Sequence, residues 1–375
     1  MPELVALDLV AGPGFVDALR SAWDDGDAVL PVDTRLPRPA RAQLIEALRP
    51  TVVVDDAGRH RCPGGRPVDP GDALVVATSG TTGRPKGVVL DHRAVEASAR
   101  ATSRRLEVDR DTDRWVACLP LAHVGGLSVV TRSLVTGTPC TVLPAFDAGA
   151  VERLSVEGGT LISLVATALR RTDTSGYRTV LLGGAAPPDA LPDNVVTTYG
   201  MTETGSGIVY DGRPLDGVEV RIGDGATRQD GEILVRGPML LRGYRDGTDP
   251  RLGGGWFPTG DAGRVEPDGS LAVFGRLTEV IVTGGENVWP GPVERVLGTH
   301  PGIDQVAVWK RPDPEWGERV VAWIVPIDRF RPPELEALRD LVAGELPRWA
   351  APRELVMTDR LPRTPGGKVT RTSLT

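Results

Sequence analysis

Residues 78–87 read Thr-Ser-Gly-Thr-Thr-Gly-Arg-Pro-Lys-Gly (TSGTTGRPKG). Glycines and small hydroxylated residues let a backbone approach a ligand closely. Their amides and hydroxyls can wrap phosphate oxygens. Lys86 adds a compact point charge to the string. The Walker A pattern is not met, because Pro85 stands where its second glycine belongs and Gly87 follows the lysine. A turn without a ligand is the plain alternative for any short loop of this composition. The scarcity of lysine speaks against it here. Of 43 basic residues only Lys86, Lys310 and Lys368 are lysines, and Lys86 and Lys368 both lie in glycine-rich stretches. Arginine cannot replace a flexible ammonium at every site.

Outward from this loop the chain alternates in type. Before it, Ala73–Thr78 reads as a buried strand; after it, Asp91 caps a predicted helix running to about Leu106. The loop is thus expected between a strand and a helix. Strands are expected at Trp115–Leu119, Thr138–Leu143, Leu161–Val165, Thr179–Leu182 and Val195–Tyr199, with a helix from about Gly126 to Val135. This alternation predicts layered α/β architecture. Short strands and tight turns from Val218 to Phe274 predict an antiparallel β subdomain. A smaller α+β unit follows, with strands IDQVAVW, RVVAWIVP and RELVMT and a helix from Glu334 to Leu346. The expected fold class is α/β: a large layered α/β N-terminal domain (1–275) with an antiparallel β subdomain, then a small mobile α+β C-terminal domain (279–375). The boundary is placed at 276–278.

Bulk properties narrow the function classes. The 375 residues suggest two domains. Hydrophobic content is 40%, charged content 25% and net charge −7. The basic footprint that a nucleic-acid partner would need is absent. No apolar run is long enough to span a bilayer, so no integral membrane segment is expected. Residues 1–11 carry acidic and no basic side chains, unlike a secretory signal, and a cytoplasmic location is expected. Cys62, Cys118 and Cys140 show no CxxC spacing, which argues against a disulfide framework or zinc site.

The string 78–87 resembles the signature of the adenylate-forming superfamily, which holds acyl- and aryl-CoA ligases, adenylation domains of peptide synthetases and luciferases. Further signatures follow in the family's order, and the resemblance runs from about Asp72 to Arg371. It implies an ATP-dependent enzyme that activates a small carboxylic acid as its acyl-adenylate, with ATP, Mg²⁺ and coenzyme A as cofactors and co-substrates. By this resemblance Thr78, Ser79, Gly80, Thr81, Thr82, Gly83 and Lys86 hold phosphates. Gly184, Ala185 and Ala186, in GGAAP, border adenine. In YGMTET (199–204), Tyr199 lies against adenine with Gly200, Thr202 touches the α-phosphate, and Glu203 holds Mg²⁺, a hard cation suited to a carboxylate and phosphates. Asp261, in TGD, accepts the ribose hydroxyls, and Arg276 reaches the same sugar.

The segment LTEVIVTGGENVWP (277–290) resembles the family's hinge and the loop lining its pantetheine tunnel, with Gly284 and Gly285 at that loop. Many members carry Asp or Lys at the hinge; here Thr278 stands there, which does not forbid a backbone rotation. Lys368, in PGGK, matches the lysine that bridges the acid and the α-phosphate.

The acyl pocket is expected to begin at PLAHVGG (120–126). Amino-acid-activating members commonly place an aspartate near here, and PLAHVGGLSVV has none. His123 is a candidate catalytic and substrate-binding residue. Arg132 lies within an apolar helical stretch, LSVVTRSLV. Either its stem reaches the helix surface, or its fork binds a second carboxylate on the substrate. Gly200 and Thr204 complete the candidate substrate contacts. His123, Arg132, YGMTETGSGIVYDGRPLDGV (199–218) and TGGENVWP together resemble the 2-succinylbenzoate–CoA ligases of menaquinone synthesis. That substrate has two carboxylates. Only 77 residues precede the phosphate loop, so a shortened first subdomain is expected. Other acids, a carrier-protein acceptor in place of CoA, and a non-catalytic nucleotide-binding protein on the same fold stay open, as does a homodimer.

Overall fold

The computed structural model describes residues 1–79, 85–185, 187–188, 190–223, 230–363 and 369–374, with the backbone alone at Ser79. The chain forms two compact units. The first comprises Met1–Pro187, Pro192–Val220 and Val235–Phe257; the second comprises Pro188–Leu191, Arg221–Leu234 and Pro258–Thr375. These units follow packing. They are not the bodies expected to rotate about 276–278, which are taken up under the proposed function.

Two seven-stranded sheets build the first unit. One is ordered Gly243–Tyr244, Pro85–Asp91, Asp72–Ser79, Ala28–Pro31, Leu4–Leu7, Val52–Asp55, Gly58–Arg61. The other is ordered Arg213–Pro214, Gly207–Tyr210, Val195–Gly200, Thr179–Leu182, Leu161–Leu164, Trp115–Ala117, Cys140–Val142. LVAL (4–7), LISL (161–164) and TVLL (179–182) are buried along their whole length. Parallel strands covered on both faces are rich in apolar residues, and the polar residues among them here, Ser163 and Thr179, are small and buried. The expected strands and helices of this region are present. The helix from Asp91 runs His92–Arg105, and the Asp91 carboxylate accepts from the Ala94 N–H at 2.7 Å, satisfying a free helix-end donor. The helix that carries Arg132 runs Val124–Thr136.

One local expectation is corrected. The phosphate-loop string does not join a strand to a helix. Asp72–Ser79 pairs antiparallel with Pro85–Asp91, so the string connects two strands and Lys86 stands on the second. The helix starts only at His92, after the Val88-Val89-Leu90 run. β-branched residues favour the pleated strand, and Asp91 supplies the first capping side chain. Residues 1–71, which carried no motif, supply the parallel strands next to this hairpin.

The second unit contains the expected small α+β fold. Ile303–Asp313 and Gly317–Pro326 form a long antiparallel pair, and Glu354–Met357 joins Gly317–Pro326 in parallel. Helices Pro290–Gly298 and Leu335–Glu345 bury Val293, Leu297, Leu338 and Val342 in a core with Val308 and Val320. Phe257–Val265 pairs antiparallel with Leu271–Arg276, as the turn-rich sequence predicted. No helix among the described residues is long and apolar enough to cross a membrane.

Arg242 locks the phosphate-loop hairpin from outside the motif. Its Nε and Nη2 donate to the two oxygens of Asp72 at 2.7 and 3.0 Å, and Asp72 is 1% exposed. A carboxylate so buried is costly without its partner. Arg242→Met is expected to lower unfolding stability by about 2–3 kcal/mol, read from the urea midpoint. An unchanged midpoint would mean that the Asp69 N–H, 3.1 Å away, suffices for Asp72.

Candidate active site

The second sheet of the first unit gathers several predicted residues at one edge. Trp115–Ala117, Leu161–Leu164, Thr179–Leu182 and Val195–Gly200 run parallel. His123 follows the first of these strands, Gly184 and Ala185 the third, and Tyr199 to Glu203 end or follow the fourth. All therefore leave the carboxyl ends of parallel strands, where α/β proteins bind their ligands. Ala186 lies outside the described residues, as do Gly80, Thr81, Thr82, Gly83, Lys368 and the Ser79 side chain.

Backbone sterics shape the turn after Tyr199. A Cβ on Gly200 would stand 2.2 Å from the Ser206 carbonyl oxygen and 2.7 Å from the Gly207 Cα, so only glycine fits. The register also shifts between Tyr199 and Gly200. Thr202–Thr204 then form one short helical turn. The Thr204 hydroxyl accepts from the Met201 N–H at 2.9 Å and lies 2.7 Å from the Ser206 carbonyl oxygen. Thr204 is fully buried, and its hydroxyl closes the turn instead of facing a substrate. The turn leaves Glu203 half-buried beside Tyr244.

Lys86 and Glu203 meet through that tyrosine. The Tyr244 hydroxyl donates to Glu203 Oε1 at 3.0 Å, and Lys86 Nζ stands 5.1 Å from the centre of the Tyr244 ring. A cation at that distance is attracted by the ring face. Burial pushes the Tyr244 phenol well above its ordinary range, and the Glu203 charge adds to the shift. The phenol thus keeps its proton and serves as a hydrogen-bond donor to the Glu203 carboxylate. Thr78 and Lys86 are cross-strand partners, and the Thr78 hydroxyl lies 3.5 Å from the Lys86 carbonyl oxygen. No local pattern signals Tyr244, which sits in RGYR (242–245) without a catalytic motif.

His123 caps the Val124–Thr136 helix by position, and its side chain is exposed. Its Nε2 lies 3.6 Å from Asp33 Oδ2 and 3.4 Å from Arg35 Nη2. Arg35 grips Asp33 with two hydrogen bonds of 2.8 and 2.7 Å, which hold the Asp33 carboxyl below the usual carboxylate range. Asp33 and Arg35 were also unforeseen; three residues in a turn carry no legible chemistry until the fold brings His123 to them.

Arg132 does not reach the surface. It is 2% exposed, its guanidinium lies over the Trp115 ring at 4.7 Å, and its Nε and Nη1 have no hydrogen-bond partner among the described residues. The surface alternative is thus excluded. Burial depresses its pKa, opposed by Tyr210 and Cys140.

In the second unit Asp261 and Arg276 face each other across paired strands, with Arg276 Nε 3.0 Å from Asp261 Oδ1. Arg276 Nη1 also donates to the Thr259 carbonyl oxygen at 3.1 Å. Gly284 and Gly285 join Ile281–Thr283 to Glu286–Val288 with φ of 60° and 83°, a two-residue hairpin turn that favours glycine at both places. A Cβ on Gly284 would meet the Trp316 ring at 2.7 Å.

The AMP-binding enzyme profile matches residues 62–245, and the AMP-binding enzyme C-terminal domain profile matches residues 292–368. A probable 2-succinylbenzoate–CoA ligase of Mycobacterium tuberculosis is 43% identical over 336 residues, covering 83% of this chain and 85% of that protein. The chain belongs to the AMP-binding enzyme family. Among solved members, o-succinylbenzoate CoA synthetase from Bacillus subtilis, in complex with the acyl-adenylate intermediate OSB-AMP, superposes with a TM-score of 0.84 at 27% identity, covering 100% of this chain and 88% of that one. The same Bacillus enzyme with ATP and a magnesium ion gives 0.83 at 26% identity over 99% and 89%. The expected family and α/β fold class are borne out.

Gly200 offers a test of the edge geometry within this family. Gly200→Ala is expected to cost about 1–3 kcal/mol of stability through overpacking and to weaken ATP binding by displacing the 202–204 turn. Thermal melting and calorimetric ATP titration read the two effects. Normal ATP affinity in a destabilised variant would separate the turn from the nucleotide.

Proposed function

We propose that the chain is an ATP-dependent ligase that converts 2-succinylbenzoate, through its acyl-adenylate, into 2-succinylbenzoyl-CoA for menaquinone synthesis. The observation that carries the choice of acid is Arg132. A buried guanidinium with two nitrogens that find no hydrogen-bond partner among the described residues is a costly feature in a folded core. A substrate with a carboxylate beyond the reacting one would supply the missing partner, and the planar fork suits it. The family membership and the named relatives support the rest of the reading.

The reaction has two steps. The reacting carboxylate of the acid attacks the α-phosphorus of ATP, and pyrophosphate leaves. The CoA thiol then loses its proton, its sulfur attacks the acyl carbon, and AMP leaves. In the first step the 78–83 backbone and Lys86 bind phosphates, Thr202 touches the α-phosphate, and Tyr199, Gly184, Ala185 and Ala186 border the adenine. Asp261 and Arg276 take the ribose. Lys368 bridges the acid and the α-phosphate, and His123 lines the acyl pocket with Gly200. A Mg²⁺ ion fits the donor set: Glu203 keeps Oε2 beyond the bond at Oε1, and a hard cation held by one carboxylate plus phosphates needs no protein cage. When bound, it would neutralise charge on the phosphates. Domains 1–275 and 279–375 would turn about 276–278 between the steps, bringing Gly284 and Gly285 to the pantetheine arm. We place the enzyme in the cytoplasm, with a homodimer as the assembly that sedimentation would test.

Thioester formation from ATP, CoA and 2-succinylbenzoate should far exceed that from benzoate or a medium-chain fatty acid. Turnover of another acid alone would discard this substrate and keep the adenylation chemistry. Lys368→Ala should slow adenylation on the order of 10²–10³-fold and spare thioester formation from preformed acyl-adenylate. Equal loss of both would refute the division of labour.

Arg132→Met separates binding from folding. The apolar chain matches the arginine stem, so the ligand-free protein should gain about 1–2 kcal/mol of stability, while KM for 2-succinylbenzoate rises at least about tenfold and KM for ATP holds. A destabilised variant with unchanged KM for the acid would make Arg132 a packing residue only.

A further inference from the structure

Tyr244 belongs to none of the roles described above, yet it touches two of the groups that carry them. It stands on a two-residue strand, Gly243–Tyr244, that pairs antiparallel with the strand of Lys86: Gly243 faces Val89 and Tyr244 faces Val88. That short strand is fixed on both sides. The Arg245 N–H donates to the Gly87 carbonyl oxygen at 2.7 Å, and the Arg242 N–H donates to the Val89 carbonyl oxygen at 2.9 Å. The Arg245 side chain is buried and donates to the Pro67 carbonyl oxygen at 2.8 Å; burial lowers its pKa to about 10. The phenol ring is therefore carried by a backbone with little freedom.

From this anchored position the residue does two separable things. The ring faces the Lys86 ammonium at 5.1 Å, and the hydroxyl donates to Glu203 Oε1 at 3.0 Å. We infer that Tyr244 is a positioning residue of the nucleotide site, whose hydroxyl fixes the Glu203 carboxylate for a divalent cation while its ring steers the Lys86 ammonium toward the phosphates. The inference rests on the nucleotide-binding reading of these two residues and assigns a function to a third.

The physical case concerns the carboxylate's freedom. A glutamate on a short turn has three rotatable bonds and loses substantial rotamer entropy when it is fixed. Octahedral Mg²⁺ demands narrow ligand geometry. With Oε1 accepting from the phenol, the carboxylate is already oriented, and it would offer Oε2 to a divalent cation. The ring contact needs no hydroxyl, so phenylalanine retains it.

The test compares wild type, Tyr244→Phe and Tyr244→Leu by calorimetric titration with ATP, once with Mg²⁺ and once with EDTA. Tyr244→Phe is expected to weaken ATP binding about tenfold with Mg²⁺ and less than about twofold with EDTA, since its ring still faces Lys86. Tyr244→Leu is expected to weaken both, because the ring is also gone. Glu203→Gln should remove the difference between the Tyr and Phe proteins in Mg²⁺. Wild-type affinity of Tyr244→Phe in Mg²⁺ would overturn the inference, and so would an equal loss with and without the metal, which marks a structural role. A wild-type protein that fails to bind ATP under either condition would instead overturn the nucleotide reading.

Discussion

The antiparallel pairing of Asp72–Ser79 with Pro85–Asp91 is the constraint on which the nucleotide end of the first unit depends. It sets Lys86 opposite Thr78 and offers its outer edge to Gly243–Tyr244. It also places Asp72 where the Arg242 guanidinium can close over it. One ladder thus joins the glycine-rich string to a segment more than 150 residues later in the chain. A string held between paired strands has its ends fixed. Such fixed ends are what positioning in catalysis requires.

A second theme is the tension between stability and recognition around Arg132. Trp115 at 0% exposure and Arg132 at 2% form a buried stack in which a charge meets a ring face with no carboxylate paired to it among the described residues. A core selected for stability alone would carry an apolar side chain there. The cation–π contact offsets part of the desolvation cost. The remainder is the sort of local penalty that folds keep where a ligand removes it. Thr204 shows the reverse case. Its hydroxyl looked available in the motif, but the turn uses it to tie Met201 to Ser206, and its place near the site is architectural.

Much of this was legible in advance because it depends on local chemistry. Short, mainly apolar runs such as LISL and TVLL announce buried parallel strands, Asp91 announces a helix start, and paired glycines at 284 and 285 announce a tight hairpin. The motif strings carried the family and named Lys86, Glu203, Asp261 and Arg276. What misled was the place of the glycine-rich string. Loop composition says that a backbone turns closely and says nothing of which element follows; here the Val88–Leu90 run makes that element a strand.

The sequence by itself determined the family, the α/β class, the alternation of elements and the candidate residues for the chemistry, since each follows from residue type, period or a contiguous motif. Only the tertiary structure decided that Arg132 is buried against Trp115, that Asp33 and Arg35 stand at His123, and that Tyr244 joins Lys86 to Glu203. Those relations link residues far apart in the chain. Burial and hydrogen bonding depend on which strands become neighbours, and no local pattern records the distance between a phenol and a carboxylate that meet across a fold.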